Sequence, residues 1–205
     1  HLKSTEEGNN IKTFKQQKIW NISLEKWDVF EHNKVPKYNF GLKSDGRANV
    51  DIVDGSLLIN SRGSGWFSIV HDPWRPSPGE GGHLGPTPGI FNRDFIDERL
   101  DVGVFQTETL KEDLQISGIP TLETFVKCDQ TNFDICLALS LVDEKEKIIN
   151  QFSTGFLRVK NSKKDEECAC KIAMHPTNIS ILKGSKLRLS ISAAAYPSIG
   201  VNSGF

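Results

Sequence analysis

The sequence predicts an all-β fold, a β-sandwich of the jelly-roll kind, on three observations: apolar residues alternate, the alternating runs are short and bounded by turn formers, and no long amphipathic helix breaks them. From Leu100 onward apolar residues recur at every second position, the period of strands with one buried face. The clearest run sets Phe133, Ile135, Leu137, Leu139 and Leu141 against Asp134, Cys136, Ala138, Ser140 and Val142, and reads as a long strand facing a core. Leu122-Thr124-Val126, Cys170-Ile172-Met174 and Leu187-Leu189-Ile191-Ala193 repeat the pattern. Gly118, Pro120, Asp129, the charged stretch 161–167 and Lys183-Gly184 punctuate these runs. Many short strands with polar punctuation pack as two sheets.

The first half is less regular. Strands are expected at 18–22, 37–42, 56–59 and 66–70, with a Ser-Asp-Gly turn inside 43–49. Residues 23–33, where Trp27 and Phe30 are three apart, suit a turn or two of helix. Residues 71–92 are dense in proline and glycine and make neither strand nor helix. A loop of this length is usually a linker or a functional surface. An ordered loop crossing one end of the sandwich is the favoured reading, with Trp74, Leu84, Ile90 and Phe91 to bury. A flexible linker between two subdomains is the alternative.

The chain carries 25 basic and 26 acidic residues, a formal charge of -1, so no global field favours nucleic acid or an anionic membrane. No stretch approaches the roughly 18 apolar residues of a membrane-spanning helix. Cys128, Cys136, Cys168 and Cys170 show no C-x-x-C spacing and read as reduced thiols of a cytoplasmic protein, with Cys170 packed inward. Gly63-Ser64-Gly65 and Ser203-Gly204 lack the spacing and following helix of a nucleophile elbow. The histidines His32, His71, His83 and His175 are scattered, and Gly79-Glu80-Gly81-Gly82 lacks the frame of a phosphate loop. Asn21-Ile22-Ser23 and Asn178-Ile179-Ser180 fit a glycosylation pattern that is common by chance. The residues thus assign no catalytic group, no metal site and no cofactor. Trp20, Trp27, Trp66 and Trp74 all fall in the first 74 residues; core packing is expected for at least two, and a domain interface or a sugar-stacking face for the others.

Several stretches resemble one family. The run from Gly118 to Asp143 (GIPTLETFVKCDQTNFDICLALSLVD) resembles the G-x-P, S-D, D and L-x-D-V-D series of the X-Pro dipeptidyl-peptidase C-terminal domain, which ends hydrolases of the cocaine-esterase and X-Pro dipeptidyl-peptidase type. Ser153-Thr-Gly-Phe-Leu-Arg158 resembles its G-x-L-R strand. Lys183-Gly-Ser-Lys-Leu-Arg-Leu-Ser-Ile-Ser192 resembles its G-H-R-L-R-L-x-I-S strand, with Tyr196-Pro197 and Asn202 following. Upstream, Lys26-Trp27, the turn 42–46, His71-Asp72-Pro73 and Gly81-Gly82 fall in the family's order. Cys128 in place of the usual Ser and the charged loop 160–167 are this chain's own.

The resemblance implies a galactose-binding-like jelly roll that packs on the α/β-hydrolase catalytic domain of the same polypeptide, a serine hydrolase of acyl-esterase or X-Pro dipeptidyl-peptidase type, and helps wall its substrate site. It implies no catalytic residue here, since none of the Ser-His-Asp triad falls in this chain. Trp27, Trp74, Gly81, Gly82 and His83 are the expected active-site rim or domain interface. Residues 1–17 are expected to be a tag remnant and linker, because the chain opens on His1 and holds a single methionine, Met174; residues 18–205 are expected to be one domain cut from a larger hydrolase. A carbohydrate-binding module is the alternative, and homo-oligomerisation stays open.

Overall fold

The structure, a computed structural model, describes residues 16–23, 25–31, 38–82, 85–143, 145 and 147–204. In chain order its strands are β1 (Gln16–Asn21), β2 (Lys26–Glu31), β3 (Phe40–Gly46), β4 (Ser56–Ile59), β5 (Ser64–Phe67), β6 (Phe91–Asn92), β7 (Val102–Gln106), β8 (Leu114–Gly118), β9 (Thr121–Lys127), β10 (Phe133–Asp143), β11 (Ile148–Val159), β12 (Glu167–Ala173), β13 (Thr177–Ile181) and β14 (Lys186–Ser192). One short helix, α1 (Asp94–Asp97), lies between β6 and β7.

The strands form an eight-stranded sheet in the order β5-β3-β4-β7-β14-β10-β11-β6, a four-stranded sheet β2-β1-β13-β8, and a β12-β9 pair. The core lies between the large sheet and the two smaller ones. Phe105, Ile135, Leu137, Leu139, Leu187, Leu189 and Ile191 come from one side, and Leu114, Leu122, Cys170, Ile172, Ile179 and Ile181 from the other. These are the alternating residues of the sequence, so the period-2 pattern delivers the core it predicts.

The helical reading of 23–33 is corrected. Residues 26–31 form β2, paired antiparallel with β1 from Asn21↔Lys26 to Gln16↔Glu31. Trp27, Val29 and Phe30 are strand formers, and pairing with a neighbouring strand outweighs the i, i+3 spacing. The strand expected at 66–70 is β5, set earlier because it pairs in parallel with β3 from Lys43↔Ser64 to Gly46↔Phe67. The Ser-Asp-Gly turn is the end of β3, whose reversal comes after Gly46 and is held by Asp54: its carboxylate accepts from the Ser44 hydroxyl and from the amides of Asp45 and Arg47.

Alternation predicts one buried face for β10, yet its first eight residues, Phe133 to Ser140, are buried on both. The second face is roofed by residues 71–82 and 85–100 and by the chain after β14. Small side chains there, Ala138, Ser140, Ser190 and Ser192, let that cover approach closely.

Ile172 is 1% exposed at the centre of the main core. Ile172→Ala is expected to lower the unfolding free energy by about 2–5 kcal/mol, whereas Val53→Ala, at a side chain 77% exposed, should fall within about 0.5 kcal/mol of the parent; urea denaturation of the three proteins measures both.

Candidate functional site

The roofed face of the large sheet gathers the polar groups of the molecule. A register shift between Leu139 and Ser140 leaves Phe152 as the extra residue on β11: Ala138 faces Thr154, but Ser140 faces Gln151. The bulge flips the parity of β11, so Gln151 points to the roofed face beside Ser140. There Gln151 Nε2 donates to the Glu80 carbonyl at 2.9 Å and its Oε1 accepts from Arg93 Nη1 at 2.8 Å.

Arg93 precedes α1, and one helical turn brings its Nε to Asp97 Oδ1 at 2.9 Å. The other oxygen of Asp97 receives Nη1 of Arg188 from β14 at 3.2 Å, and Arg188 Nη2 donates to Gln106 of β7 at 3.1 Å. All three charged side chains are at most 6% exposed. One carboxylate therefore serves two buried guanidiniums, and it ties the helix and the loop to the middle of the sheet.

A second clamp lies further along β10. Arg158 donates to both oxygens of Asp134, at 2.8 and 2.7 Å, and Asn202 Nδ2 reaches Asp134 Oδ1 at 3.0 Å. Arg158 also donates to the Gly200 carbonyl at 2.6 Å. The bond to Asp134 holds the Arg158 guanidinium above its ordinary pKa. His71 Nε2 lies 3.1 Å from the Asn202 carbonyl, so the start of the Pro/Gly loop and the end of the described chain share one anchor.

The loop itself is ordered by backbone bonds. The Gly79 amide donates to Tyr196 O and the Tyr196 amide to Ser77 O, at 2.8 and 2.9 Å; Gly82 and Gly89 exchange a pair at 2.8 and 2.9 Å. The apolar residues expected to anchor it behave otherwise: Trp74 is 94% and Ile90 56% exposed. Phe91 alone of the described ones packs inward, against Ile96, Val102 and Val104. Leu84 lies outside the described residues.

The sequence-predicted site residues are therefore distributed. Gly81 (φ +68°) and Gly82 (φ +72°) sit together on the sheet, where an added Cβ would stand 2.6 Å from Phe91 Cβ and 2.9 Å from Thr154 Oγ1. The close approach these glycines permit is that of the loop to β6 and β11. Trp74 projects from the same loop into solvent. Trp27 belongs to β2, at the edge of the four-stranded sheet; its side chain, that of Trp20, and His83 lie outside what the structure describes. Trp66, 70% exposed, and Trp74 are not core residues.

Between the loop and the sheet lies a pocket of about 80 Å³, with Gly81, Arg93, Cys136, Ala138, Ser190 and Ser198 among its walls. Burial, and then the Asp134 carboxylate, push the Cys136 thiol up to about 12, and burial lifts Cys170 to about 11. Such thiols are protonated and weakly nucleophilic at neutral pH. The Cys170 thiol donates to Cys168 Sγ at 4.0 Å, and the two form no disulfide. Among the described residues no three His, Cys, Asp or Glu side chains are grouped to hold a metal ion.

Residues 8–204 match the model of the family described as the X-Pro dipeptidyl-peptidase C-terminal non-catalytic domain. The chain belongs to that family. The polar residues that carry its motifs gather at the roofed face: Asp134, Arg158 of the G-x-L-R run, Arg188 of the L-R-L run, and Asn202. Each is held by hydrogen bonds to neighbouring side chains or backbone.

The fold is similar to that of an aminopeptidase from the marine sediment archaeon Thaumarchaeota archaeon (TM-score 0.69, 18% identity, 91% of this chain and 34% of that one). It is equally similar to a selenomethionine-labelled α-amino acid ester hydrolase (TM-score 0.69, 19% identity, 91% and 35%). The chain spans about a third of the length of these structures. No curated protein matches it by sequence.

Arg93, Asp97 and Gln151 were not singled out in the sequence. The R-x-x-x-D spacing of Arg93 and Asp97 is a legible i, i+4 pair, whereas Gln151 depends on a bulge that leaves no mark in the pattern.

Asp97→Asn leaves both guanidiniums buried without their carboxylate and should cost about 3–5 kcal/mol of stability, read by chemical denaturation. Iodoacetamide at pH 8 should alkylate the half-buried Cys128 and Cys168 first and leave Cys136 and Cys170 unlabelled in the native protein; peptide mass spectrometry gives the order.

Proposed function

We propose that this domain is the non-catalytic partner of an α/β-hydrolase domain in the same polypeptide, a serine hydrolase acting on acyl esters, amides or X-Pro dipeptides, and that it docks through the apolar surface of its roof and of the adjoining β3–β4 connection. The observation that carries the reading is a set of exposed large apolar side chains on linked segments: Trp74 at 94%, Phe95 at 87%, Val53 at 77%, Val50 at 69% and Leu100 at 67%. Arg99 Nη2 donates to Arg75 O and Asn49 Nδ2 to Leu100 O, both at 2.8 Å, so the three segments bearing these residues are bonded to one another. Domains rarely leave so many large apolar groups to water unless another surface covers them.

Membership of a family defined as a C-terminal, non-catalytic domain, and the one-third share of the aminopeptidase and ester hydrolase structures, support a covalently attached partner. In this reading the loop 71–92 supplies part of the substrate-site rim. Gly81 and Gly82 hold the loop against the sheet, and Trp74, His83 and Trp27 belong to the contact surface. The exposure of Trp66 and Trp74 also suits sugar stacking, the mode of a carbohydrate-binding module.

The test compares this chain with the full-length gene product on p-nitrophenyl acyl esters and X-Pro-p-nitroanilides, with and without a serine-reactive phosphonate. Turnover only in the longer protein, abolished by the phosphonate, is the expected result; phosphonate-sensitive turnover by this chain alone overturns the reading. Trp74→Glu in the full-length protein should lower its Tm and activity while leaving the Tm of the isolated chain unchanged. Sugar-dependent quenching of tryptophan fluorescence in the isolated chain would favour the carbohydrate module instead.

A further inference from the structure

The pocket under the Pro/Gly loop has a chemical bias that neither clamp uses. Its floor is the roofed face of β10 and β14, where Ser190 stands opposite Ala138 and Ser192 opposite Cys136. Ser190 is 1% exposed and its hydroxyl has no hydrogen-bond partner. Arg93 forms part of the wall, with Nε spent on Asp97 and Nη1 on Gln151, which leaves Nη2 without a partner.

The charge balance points the same way. Arg93 and Arg188 share the single carboxylate of Asp97, so the buried cluster carries an excess positive charge, and Arg188 Nε is itself buried without a partner. The neighbouring Asp134–Arg158 pair is neutral as a unit. The remaining acid of the wall, Glu80, sits at the outer edge with its carboxylate accepting from the Thr87 hydroxyl at 2.6 Å. Two buried guanidiniums sharing one carboxylate are only half neutralised, and an anion with acceptor oxygens is the species that completes the balance.

We infer that the pocket bounded by Arg93 and Ser190 is a binding site for a small carboxylate. A pocket of about 80 Å³ has room for a small carboxylate. Cys136, on the same floor, closes the apolar side as a protonated thiol. The inference rests on this chain's own residues and is independent of the hydrolase reading.

Thermal unfolding of this chain is measured in sodium acetate and in sodium chloride of equal ionic strength. Ser190→Ala is run in parallel; it removes a hydroxyl that makes no bond and so keeps the fold. Acetate should raise the Tm saturably, by about 5 °C or more at a hundredfold excess over Kd, and Ser190→Ala should weaken acetate roughly tenfold. Crystals grown in acetate should show it between Arg93 and Ser190. Equal effects of acetate and chloride, equal acetate affinity in the two proteins, or acetate found elsewhere would each overturn the assignment.

Discussion

Asp97 lies between Arg93 and Arg188 on the face of the central sheet that a plain two-layer sandwich would leave to solvent. A lone arginine on that face of β14 would have to be hydrated, and the Pro/Gly segment could not close over it. With the carboxylate in place, α1 is fastened to the sheet. Phe91 and Ile96 can then settle on Val102 and Val104, and Gln151 can hold the loop by the Glu80 carbonyl. The roof therefore rests on a polar keystone rather than on an apolar one, which is why Trp74 and Ile90 can remain exposed without loosening it. Breaking such a cluster at one member is far more harmful than never having it, because the survivors stay buried and charged.

The main core was legible in the sequence because its period is 2 and its residues are apolar: Ile135, Leu137 and Leu139 alternate in the chain and point together in the fold. The polar face was legible only in part. Arg188 and Ser190 alternate with Leu187, Leu189 and Ile191 and so belong to the opposite face of their strand, but nothing in that alternation says whether the face is wet or covered. The parity change at Phe152 is invisible in composition, and it decides that Gln151 rather than Asn150 enters the site. Trp27 and Phe30 misled for the converse reason, since a three-residue spacing is compatible with helix but the antiparallel partner strand lies earlier in the chain.

The family resemblance located the important residues without saying what they do. Asp134, Arg158, Arg188 and Asn202 come from motifs of the C-terminal non-catalytic domain family, and as charged or polar groups they are the first candidates for chemistry. Each is consumed by its neighbours: Asp134 takes Arg158 and Asn202, and Arg188 takes Asp97 and Gln106. A charged motif in an all-β domain is in this case a signature of how a second face is sealed.

The sheet order has a temporal meaning as well. β1 pairs with β13, which follows it by more than 150 residues, and β7 is placed beside β14 only after most of the chain has been made. Contacts of such sequence separation are entropically slow to close, so formation of the fold is governed by loop closure more than by local propensity. During synthesis the hairpin β1–β2 has no sheet to join until β13 has left the ribosome, and its edge is open to other strands for that interval.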